Sequence, residues 1–445
     1  MLERLPGTTV RGDGEGLGGA PTPGAPRRRS ATHRPAPRKR KRHKPLLSLQ
    51  PAPYAGALPS ACWPPLAEGA VRATIAGLNS VMLTMPGTDQ GRRKPRVSAP
   101  FPFGGAVRPF FQPIVDLRHG RVCGFEALAR LFVGDRVIPP VEFLHAIPES
   151  GRLDFFALVL DAALAAMNGL SDAADCYASV NVDRSLFLDA RFAGTVDATL
   201  RARSYPPGRL VLEILEDERI ADEGRMIQGL ERVRSLGVRI ALDDVGTAHA
   251  SLMNIKTLPL DILKLDQTFA RGLRDRPKDL LFVLSLLSLA RGLGKSLVIE
   301  GVETVEILDA LTILGVTFVQ GYGIARPMPA ERLEDWLRTY QVPVATRTPQ
   351  SLLGAYASHL TVVETCRILV CQPLPIAWKE ESKNPHACGI GRYFDRFGLH
   401  ETAFGLAHKR FHEVMNCYGT DPSRWEQGAE GFASALTQAM RAADA

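Results

Sequence analysis

Residues 238–245 have the sequence VRIALDDV, an apolar β-type run with the adjacent carboxylates Asp243 and Asp244 near its carboxyl end. Residues 258–266, LPLDILKLD, repeat this pattern and end on Lys264 and Asp266. In both segments the apolar residues come first and the polar residues lie toward the carboxyl end. This pattern predicts an α/β fold whose functional groups lie at the carboxyl ends of its strands.

The alternation of short strands with helices continues on both sides of this segment. We predict strands at Phe110–Leu117, Val122–Leu131, Tyr177–Val182, Leu210–Leu215, Val238–Val245, Ile262–Leu265, Ser296–Ile299 and Phe318–Gly321. We predict helices at Leu153–Leu170, Asp222–Leu236, Lys278–Leu293 and Val305–Leu314, with caps at Gly237, Gly294 and Gly315. Repeated strand–helix units indicate a parallel α/β fold, and their number favours a closed TIM-type (β/α)8 barrel over an open sheet. We assign the barrel to residues 105–341.

The chain outside the barrel differs in composition at its two ends. Residues 1–100 contain 15 Pro and 12 Gly, a density of breakers that predicts a disordered leader over residues 1–104. Residues 342–349 are typical of a linker. Residues 350–445 have helical patterns without strand patterns, which predicts a small α-helical domain.

The composition of the 445 residues is that of a globular protein, with 45% hydrophobic residues and a mean hydropathy of −0.03. No run approaches the roughly 18 apolar residues of a membrane span, and the N-terminus lacks a basic-then-apolar signal pattern. The seven cysteines are scattered, unlike a disulfide framework, and suit a reducing compartment. We therefore expect a cytoplasmic protein with no transmembrane segment.

The formal net charge of +7 is concentrated in the leader. Residues 1–50 hold twelve Lys and Arg against three acidic residues, a net +9, so the remaining 395 residues carry −2. The basic run at residues 38–42 fits an electrostatic arm for nucleic acid or anionic lipid, a solvated tail, or an untranslated segment upstream of a start at Met82 or Met85. Because a nucleic-acid footprint is a basic face on a folded domain, we expect no specific nucleic-acid partner.

The main functional signal is a set of polar side chains toward the carboxyl ends of the predicted strands. They are Glu126, Asn181, Glu213, Asp243, Asp244, Lys264, Asp266, Glu300 and Gln320. In a barrel these ends converge, and several carboxylates there need cations to remain ionised. Oxygen ligands favour Mg²⁺ or Mn²⁺ over zinc, and two such ions can clamp the attacking and leaving oxygens of a displacement at phosphorus. The residues thus predict metal-dependent phosphoester hydrolysis, although each acid taken alone also fits a helix cap or a loop ion pair.

The motifs that contain these residues resemble those of EAL-domain cyclic di-GMP phosphodiesterases. FQPIVD at 111–116 and EALAR at 126–130 are followed, in the family's order, by SVNV at 179–182, LEILE at 212–216, ALDD at 241–244, LPLDILKLD at 258–266, EGVET at 300–304 and QGY at 320–322. The resemblance covers about residues 108–340. It implies a TIM-type barrel that cleaves cyclic di-GMP to linear pGpG and forms a homodimer through the EAL domain.

The resemblance also implies a role for each matching residue. It assigns one Mg²⁺ or Mn²⁺ ion to Glu126, Asn181, Glu213 and Asp243, and a second to Asp243, Asp244 and Glu300. The implied catalytic residues, which handle the attacking water, are Lys264, Glu300 and Asp266. The implied substrate-binding residues are Gln112, Arg130, Gln320, Arg326 and Pro327. Glu216 and Glu303 match the glutamates that stabilise the loop after Asp244.

That loop departs from the family pattern. Val245, Ala248, His249 and Ala250 stand where the family usually has Phe, Gly, Tyr and Ser. Because the loop supports the metal ions and the dimer contact in the family, the departure bears on turnover or its regulation. It leaves one alternative open: a catalytically weak receptor that binds cyclic di-GMP and signals by conformational change.

The C-terminal helical region holds a second set of metal-ligand residues. His408 and His412 lie four residues apart, which places both imidazoles on one face of a helix. Together with His359 and Cys388 they could form a closed tetrahedral zinc site. These residues and the stretch HACGIGR at 386–392 resemble the chemoreceptor zinc-binding (CZB) domain, a four-helix bundle that senses zinc. The resemblance implies that zinc at this domain modulates the phosphodiesterase.

Other interpretations of this second set stay open. His386 is an alternative ligand to His359, or a helix cap. The histidines also fit surface positions around a buried Cys388. Cys388 also fits an oxidation sensor whose thiolate is controlled by the metal.

Overall fold

The structure of the protein is a computed structural model. It describes residues 105–171, 175–215, 223–246, 252–343, 348–370, 384–417 and 420–443. All of these residues belong to one unit of the chain. The predicted leader at residues 1–104, Glu216 and residues 247–251 of the altered loop lie outside the described residues.

Ten strands are present in the described part of the chain. They are β1 (Ala106–Asp116), β2 (Arg121–Val133), β3 (Arg136–Ile138), β4 (Tyr177–Val182), β5 (Leu210–Leu215), β6 (Arg239–Val245), β7 (Ile262–Leu265), β8 (Ser296–Ile299), β9 (Phe318–Val319) and β10 (Met328–Pro329). Eight of them form a barrel in the order β1-β2-β4-β5-β6-β7-β8-β9, which closes because β9 pairs with β1. β3 pairs with β2, and β10 pairs with β1. The predicted closed barrel is therefore confirmed.

The structure differs from an all-parallel barrel at β1, which runs antiparallel to both β2 and β9. The remaining neighbours in the barrel are parallel. β1 and β2 are joined by the short turn at residues 117–120, in which Gly120 has φ +62°. A turn of this length permits only an antiparallel hairpin, since parallel strands need a crossover of a dozen or more residues.

Helices alternate with the parallel strands and then continue beyond the barrel. They are α1 (Pro140–Phe143), α2 (Arg152–Asn168), α3 (Phe192–Arg203), α4 (Glu223–Arg234), α5 (Leu252–Thr257), α6 (Gln267–Arg271), α7 (Leu280–Gly292), α8 (Val305–Ile313), α9 (Leu333–Thr339), α10 (Leu352–Val370), α11 (Gly389–Phe397), α12 (Ala403–Val414) and α13 (Pro422–Ala443). The predicted caps after α4, α7 and α8 are confirmed, because Gly237, Gly294 and Gly315 have φ values of +90°, +66° and +76°. Glycine enters this region of backbone conformation without steric cost.

The described part of the C-terminal region is helical, as predicted, and comprises α10 to α13. Its core includes Trp425 and Phe432, which are fully buried. α10 packs against α8 of the barrel, where Asp309 accepts hydrogen bonds from the Gln350 backbone N–H at 2.9 Å and the Ser351 hydroxyl at 2.7 Å. Among the described residues, we find no helix with the length and apolar character needed to cross a bilayer.

Candidate active site and Cys–His cluster

The carboxyl ends of the parallel strands meet at one end of the barrel, where Lys264 of β7 lies at the centre of four carboxylates. Lys264 is 1% exposed. Its Nζ lies 2.6 Å from Glu300 Oε1, 2.8 Å from Glu213 Oε2, 3.2 Å from Asp243 Oδ1 and 3.4 Å from Glu126 Oε2. We term these five residues the acid cluster. Strand-end residues that are far apart in sequence are thus brought into one contact set.

One ammonium cannot balance four carboxylates, three of them buried and that of Glu300 half-buried, and the pKa values reflect this deficit. Burial raises the pKa of Glu213 and of Asp243 above their usual values, and it raises the pKa of Glu300 to about 8. Charge on neighbouring carboxylates adds to each shift, while Lys264 opposes it. Burial alone would lower the pKa of Lys264, but the four acids hold it well above its usual value. The carboxylates of the acid cluster can therefore all be ionised only if a bound cation supplies further positive charge.

Asp243 and Asp244 are consecutive, and in a regular strand their side chains would point to opposite faces. The pairing of β6 with β7 shifts register between Leu242 and Val245, an irregularity of the kind a β-bulge produces. Asp244 adopts φ +58°, in the left-handed region that aspartate enters more readily than most residues. Both aspartates consequently place a carboxylate oxygen within 4.8 Å of the other and of Glu300.

Two overlapping groups of acids have the spacing of metal ligands. Ligand atoms of Glu126, Glu213 and Asp243 lie within 4.8 Å of one another, and so do those of Asp243, Asp244 and Glu300. Asp243 belongs to both groups, as an acid shared by two ions would. All of these donors are oxygens, which Mg²⁺ and Mn²⁺ prefer. Together with the raised pKa values, which added positive charge would lower, this donor set fits two divalent cations.

Glu126 is oriented by two neutral amides. Asn181 Nδ2 donates to Glu126 Oε1 at 2.9 Å, and Gln320 Nε2 donates to Glu126 Oε2 at 2.6 Å. Burial raises the pKa of Glu126, but Lys264 and these hydrogen bonds outweigh it and lower the pKa below its usual value. Gln320 Nε2 also donates to Gln112 Oε1 at 3.2 Å. The amide network therefore holds this carboxylate ionised and in a fixed orientation.

A groove of about 210 Å³ opens from the acid cluster. Its lining includes four of the five predicted substrate-binding residues, namely Gln112, Arg130, Gln320 and Pro327. The fifth, Arg326, places its guanidinium over the Tyr322 ring, 4.4 Å from the ring centroid. Arg271 and Tyr322 also line the groove and were not predicted as site residues. Arg271 lies on α6 outside any motif, so the sequence carried no signal for it.

Asp266 lies beside the second group of acids and also caps α6. It accepts hydrogen bonds from the Thr268 N–H at 2.9 Å and the Thr268 hydroxyl at 2.5 Å. Burial, then the charges of Asp243 and Asp266, raise the pKa of Asp244 to about 6. Glu303 is exposed and pairs with Arg271 Nε at 2.6 Å. Its predicted role in stabilising the loop after Asp244 stays a prediction, as does that of Glu216.

Comparison with known proteins places this barrel in a family. The EAL domain family matches residues 104–327, half of the chain. The chain belongs to the EAL domain family.

Curated relatives of the EAL barrel include signalling proteins of two bacteria. The cyclic di-GMP phosphodiesterase RocR of Pseudomonas aeruginosa is 32% identical over 237 residues, which are 52% of this chain and 60% of that protein. The bifunctional diguanylate cyclase/cyclic di-GMP phosphodiesterase MucR of the same organism is 34% identical over 227 residues, which are 50% and 33% of the two chains. An uncharacterised signalling protein of Caulobacter vibrioides is 34% identical over 232 residues, which are 51% and 28%.

Among solved structures, the PaMucR phosphodiesterase in its c-di-GMP complex is 33% identical, with 51% of this chain and 94% of that chain covered and a TM-score of 0.47. This chain spans 60% or less of the length of the three curated relatives. The EAL domain match ends at residue 327, so the C-terminal helices lie outside it.

In these C-terminal helices, Cys388, His408 and His412 converge to form what we term the Cys–His cluster. Cys388 Sγ lies 3.3 Å from His408 Nε2, which lies 3.1 Å from His412 Nε2. Cys388 is also the N-cap of α11 and accepts a hydrogen bond from the Gly391 N–H at 3.2 Å. Burial, then the charges of neighbouring histidines, lower the pKa of His408 to about 3. His408 is therefore neutral at physiological pH, which is the form that binds metal ions.

The predicted fourth zinc ligand, His359, lies beside the Cys–His cluster rather than within it. It lines the same cavity, of about 290 Å³, but the ligand atoms within 4.8 Å of one another are those of Cys388, His408 and His412. His359 Nε2 lies 2.8 Å from the Ala429 carbonyl oxygen, and its buried Nδ1 has no hydrogen-bond partner among the described residues. His386, the alternative ligand, pairs instead with Asp395 of α11, whose Oδ1 lies 2.8 Å from His386 Nδ1.

Proposed function

We propose that the EAL barrel hydrolyses cyclic di-GMP to linear pGpG with two bound Mg²⁺ or Mn²⁺ ions. The observation that carries this proposal is the acid cluster, in which four carboxylates contact one buried ammonium. Its acids also form two overlapping groups with metal-ligand spacing. The names of the relatives RocR and MucR support the choice of substrate.

The two ions would be held by overlapping ligand sets. Glu126, Asn181, Glu213 and Asp243 form the first set, and Asp243, Asp244 and Glu300 form the second. Bound there, the ions supply Lewis acidity to the attacking and leaving oxygens of the scissile phosphodiester.

Lys264 and Glu300 would divide the handling of the attacking water. Lys264 stays protonated, because the surrounding acids hold its pKa well above the usual value, so its ammonium orients the water by donating a hydrogen bond. Glu300 lies 2.6 Å from that ammonium and is the acid of the pair that can accept a proton once it is ionised. Arg130, which lines the groove, offers a guanidinium to a substrate phosphate.

The test is turnover of cyclic di-GMP with Mg²⁺ or Mn²⁺, with pGpG resolved by chromatography. Wild type is compared with Glu126→Ala and with Glu142→Ala, a control at an exposed glutamate of α1. We expect linear product from wild type and from the control, and none from Glu126→Ala. Turnover that survives in Glu126→Ala would contradict the assigned metal site.

The second candidate is a receptor that binds cyclic di-GMP without hydrolysing it. The replacement of family residues by Val245, Ala248, His249 and Ala250 favours this alternative. The contacts of Glu126, Lys264 and Glu300 in the acid cluster favour the enzyme. Tight binding with no product from wild type at any metal concentration would decide for the receptor.

We further propose that the Cys–His cluster binds zinc and that zinc modulates the barrel. The separations of 3.3 Å and 3.1 Å are close to the roughly 3.3–3.6 Å between neighbouring ligands of a tetrahedral zinc ion. His359 suits a fourth ligand through Nδ1, because its Nε2–H already donates to a carbonyl, as metal-bound histidines commonly do. His359 must move toward the cluster to bind.

A physical link between the two regions supports modulation. α10 packs on α8, and α8 begins at Val305, directly after the segment that carries Glu300 and Glu303. Turnover and oligomeric state should be measured with and without Zn²⁺ at saturating Mg²⁺, for wild type and for Cys388→Ser. If zinc removal leaves both properties unchanged, zinc regulation is wrong. The same size measurement tests the predicted homodimer.

A further inference from the structure

A third side-chain cluster lies in the C-terminal region, outside the acid cluster and the Cys–His cluster. His386 Nδ1 lies 2.8 Å and His400 Nε2 lies 2.7 Å from the same atom, Asp395 Oδ1. The two imidazole centroids are 4.1 Å apart and the rings are tilted by 34°. Three ligand atoms of different residues thus lie within 4.8 Å of one another. We term this group the His–Asp–His cluster.

A close backbone approach places His386 in this cluster. The chain before α11 crosses the helix at Gly391, where an added Cβ would collide with the Pro385 carbonyl oxygen and lie 2.9 Å from His386 Cα. Gly391 and Asp395 are four residues apart and therefore share one helix face. The crossing at Gly391 consequently sets the His386 side chain beside the Asp395 carboxylate.

His400 reaches the same carboxylate from the other end of α11. Gly398, at φ +66°, ends the helix and turns the chain back, and the Leu399 N–H donates to the Phe394 carbonyl at 2.9 Å. The segment then packs on α12 at Gly405, where an added Cβ would lie 2.6 Å from the His400 carbonyl oxygen. Two loops are therefore held against two helices, and each delivers one imidazole to Asp395.

We propose that the His–Asp–His cluster is a second transition-metal site of the C-terminal region, separate from the Cys–His cluster. Two imidazole nitrogens and one carboxylate oxygen suit Zn²⁺ and related borderline ions rather than Mg²⁺. The present N···O separations of 2.7–2.8 Å need to open by about 0.5 Å to match neighbouring ligands around zinc. The exposed side chains of His386 and Asp395 can accommodate a change of this size.

The exposure of the cluster indicates an open site. The side chains of His386, Asp395 and His400 are 52%, 46% and 12% exposed, so solvent can supply the remaining ligands. The Cys–His cluster is more buried and contains the thiol of Cys388, whose pKa burial raises. The Phe394 ring contacts both the His400 ring, at 5.8 Å between centroids, and the His408 ring, at 5.2 Å. The two sites therefore flank one aromatic side chain.

The test is a Co²⁺ titration of the full chain in excess Mg²⁺, which occupies the oxygen ligands of the barrel. A thiolate-to-cobalt charge-transfer band reports the Cys–His cluster, and elemental analysis after desalting gives the total Co²⁺ bound. We expect His386→Ala and Asp395→Asn each to lower the affinity for one bound Co²⁺ equivalent by at least about tenfold. The charge-transfer band should be retained in both variants, whereas Cys388→Ser should lose the band and keep the other equivalent.

His119→Ala is the matched control, because His119 is an exposed imidazole that pairs with Asp116 Oδ2 at 2.7 Å without a second histidine. It should leave the Co²⁺ stoichiometry unchanged. Asp395→Asn keeps a hydrogen-bond acceptor and the side-chain size, so it separates loss of a metal ligand from loss of folding. The proposal is overturned if Asp395→Asn and His386→Ala, with circular dichroism like that of wild type, bind as much Co²⁺ at the same affinity as wild type.

Discussion

Replacing Lys264 with glutamine removes the buried ammonium that contacts four carboxylates. Removing one partner of a buried ion pair leaves an uncompensated charge and costs about 3–5 kcal/mol. For a domain the size of the barrel, each kcal/mol lowers the melting temperature by about 2–4 °C. We therefore expect Lys264→Gln to melt roughly 6–20 °C below wild type in EDTA, as measured by differential scanning calorimetry.

A divalent cation should restore much of this loss, because it supplies the positive charge that the variant lacks. An ion at 100 times its dissociation constant stabilises the folded state by about 2.7 kcal/mol, which corresponds to about 5–11 °C here. At one Mn²⁺ concentration the shift should be larger in the variant than in wild type, where the ammonium of Lys264 repels the ion.

The loss of stability caused by Lys264→Gln should also depend on pH. The pKa of Glu300 is already about 8 in the wild-type cluster, above its value in an unfolded chain, and removal of the ammonium raises it further. Acids of this kind stabilise the folded state when protonated, and the benefit is lost as pH rises through the folded-state pKa. The destabilisation should thus be smaller near about pH 6, where Glu300 is protonated in both proteins, than near about pH 8.5.

Lys278→Gln, at an exposed lysine, is the control and should change stability by less than about 0.5 kcal/mol. The reasoning is refuted if Lys264→Gln has the same melting temperature as wild type in EDTA near about pH 8.5. A Mn²⁺ shift no larger in the variant than in wild type would also refute it.

Three further predictions concern the acid cluster and the helical region. Mn²⁺ affinity should rise between about pH 6 and about pH 8.5, because Asp244 and Glu300, with pKa values of about 6 and about 8, must lose protons to bind the ion; calorimetric titration that gives one affinity at both pH values would contradict this. Asp309→Ala should cost about 1–3 kcal/mol, since it removes the acceptor of the Ser351 hydroxyl, and should weaken any effect of zinc on turnover; an undiminished zinc effect would show that the link lies elsewhere. Phe432→Ala should cost about 3–5 kcal/mol, because its ring is fully buried, while the Mn²⁺-induced shift of the barrel transition stays unchanged; a melting curve like that of wild type would disprove the packing argument.

Local sequence patterns were sufficient to predict the elements whose conformation depends on contacts between residues near in sequence. The run at residues 238–245 predicts both strand β6 and the acids at its end, because apolar strand residues and polar strand ends differ in composition. The positive φ values at Gly237, Gly294 and Gly315 follow from glycine's freedom at helix ends. The antiparallel direction of β1 was missed, although the short turn at Gly120 carried the signal for it.

Three features of the site depend on contacts between distant segments. They are the contact of Lys264 with four carboxylates, the bulge that turns Asp243 and Asp244 to the same site, and the position of Arg271 in the groove. The same holds for the His–Asp–His cluster, where His386 and His400 reach one carboxylate only because the chain folds back over both ends of α11. The sequence by itself determined the barrel and the chemical types available to its site. Only the tertiary structure decided which of those groups lie close enough to form ion pairs, exchange a proton or bind one metal ion together. These interactions depend on separations of a few ångströms, which residue order does not specify.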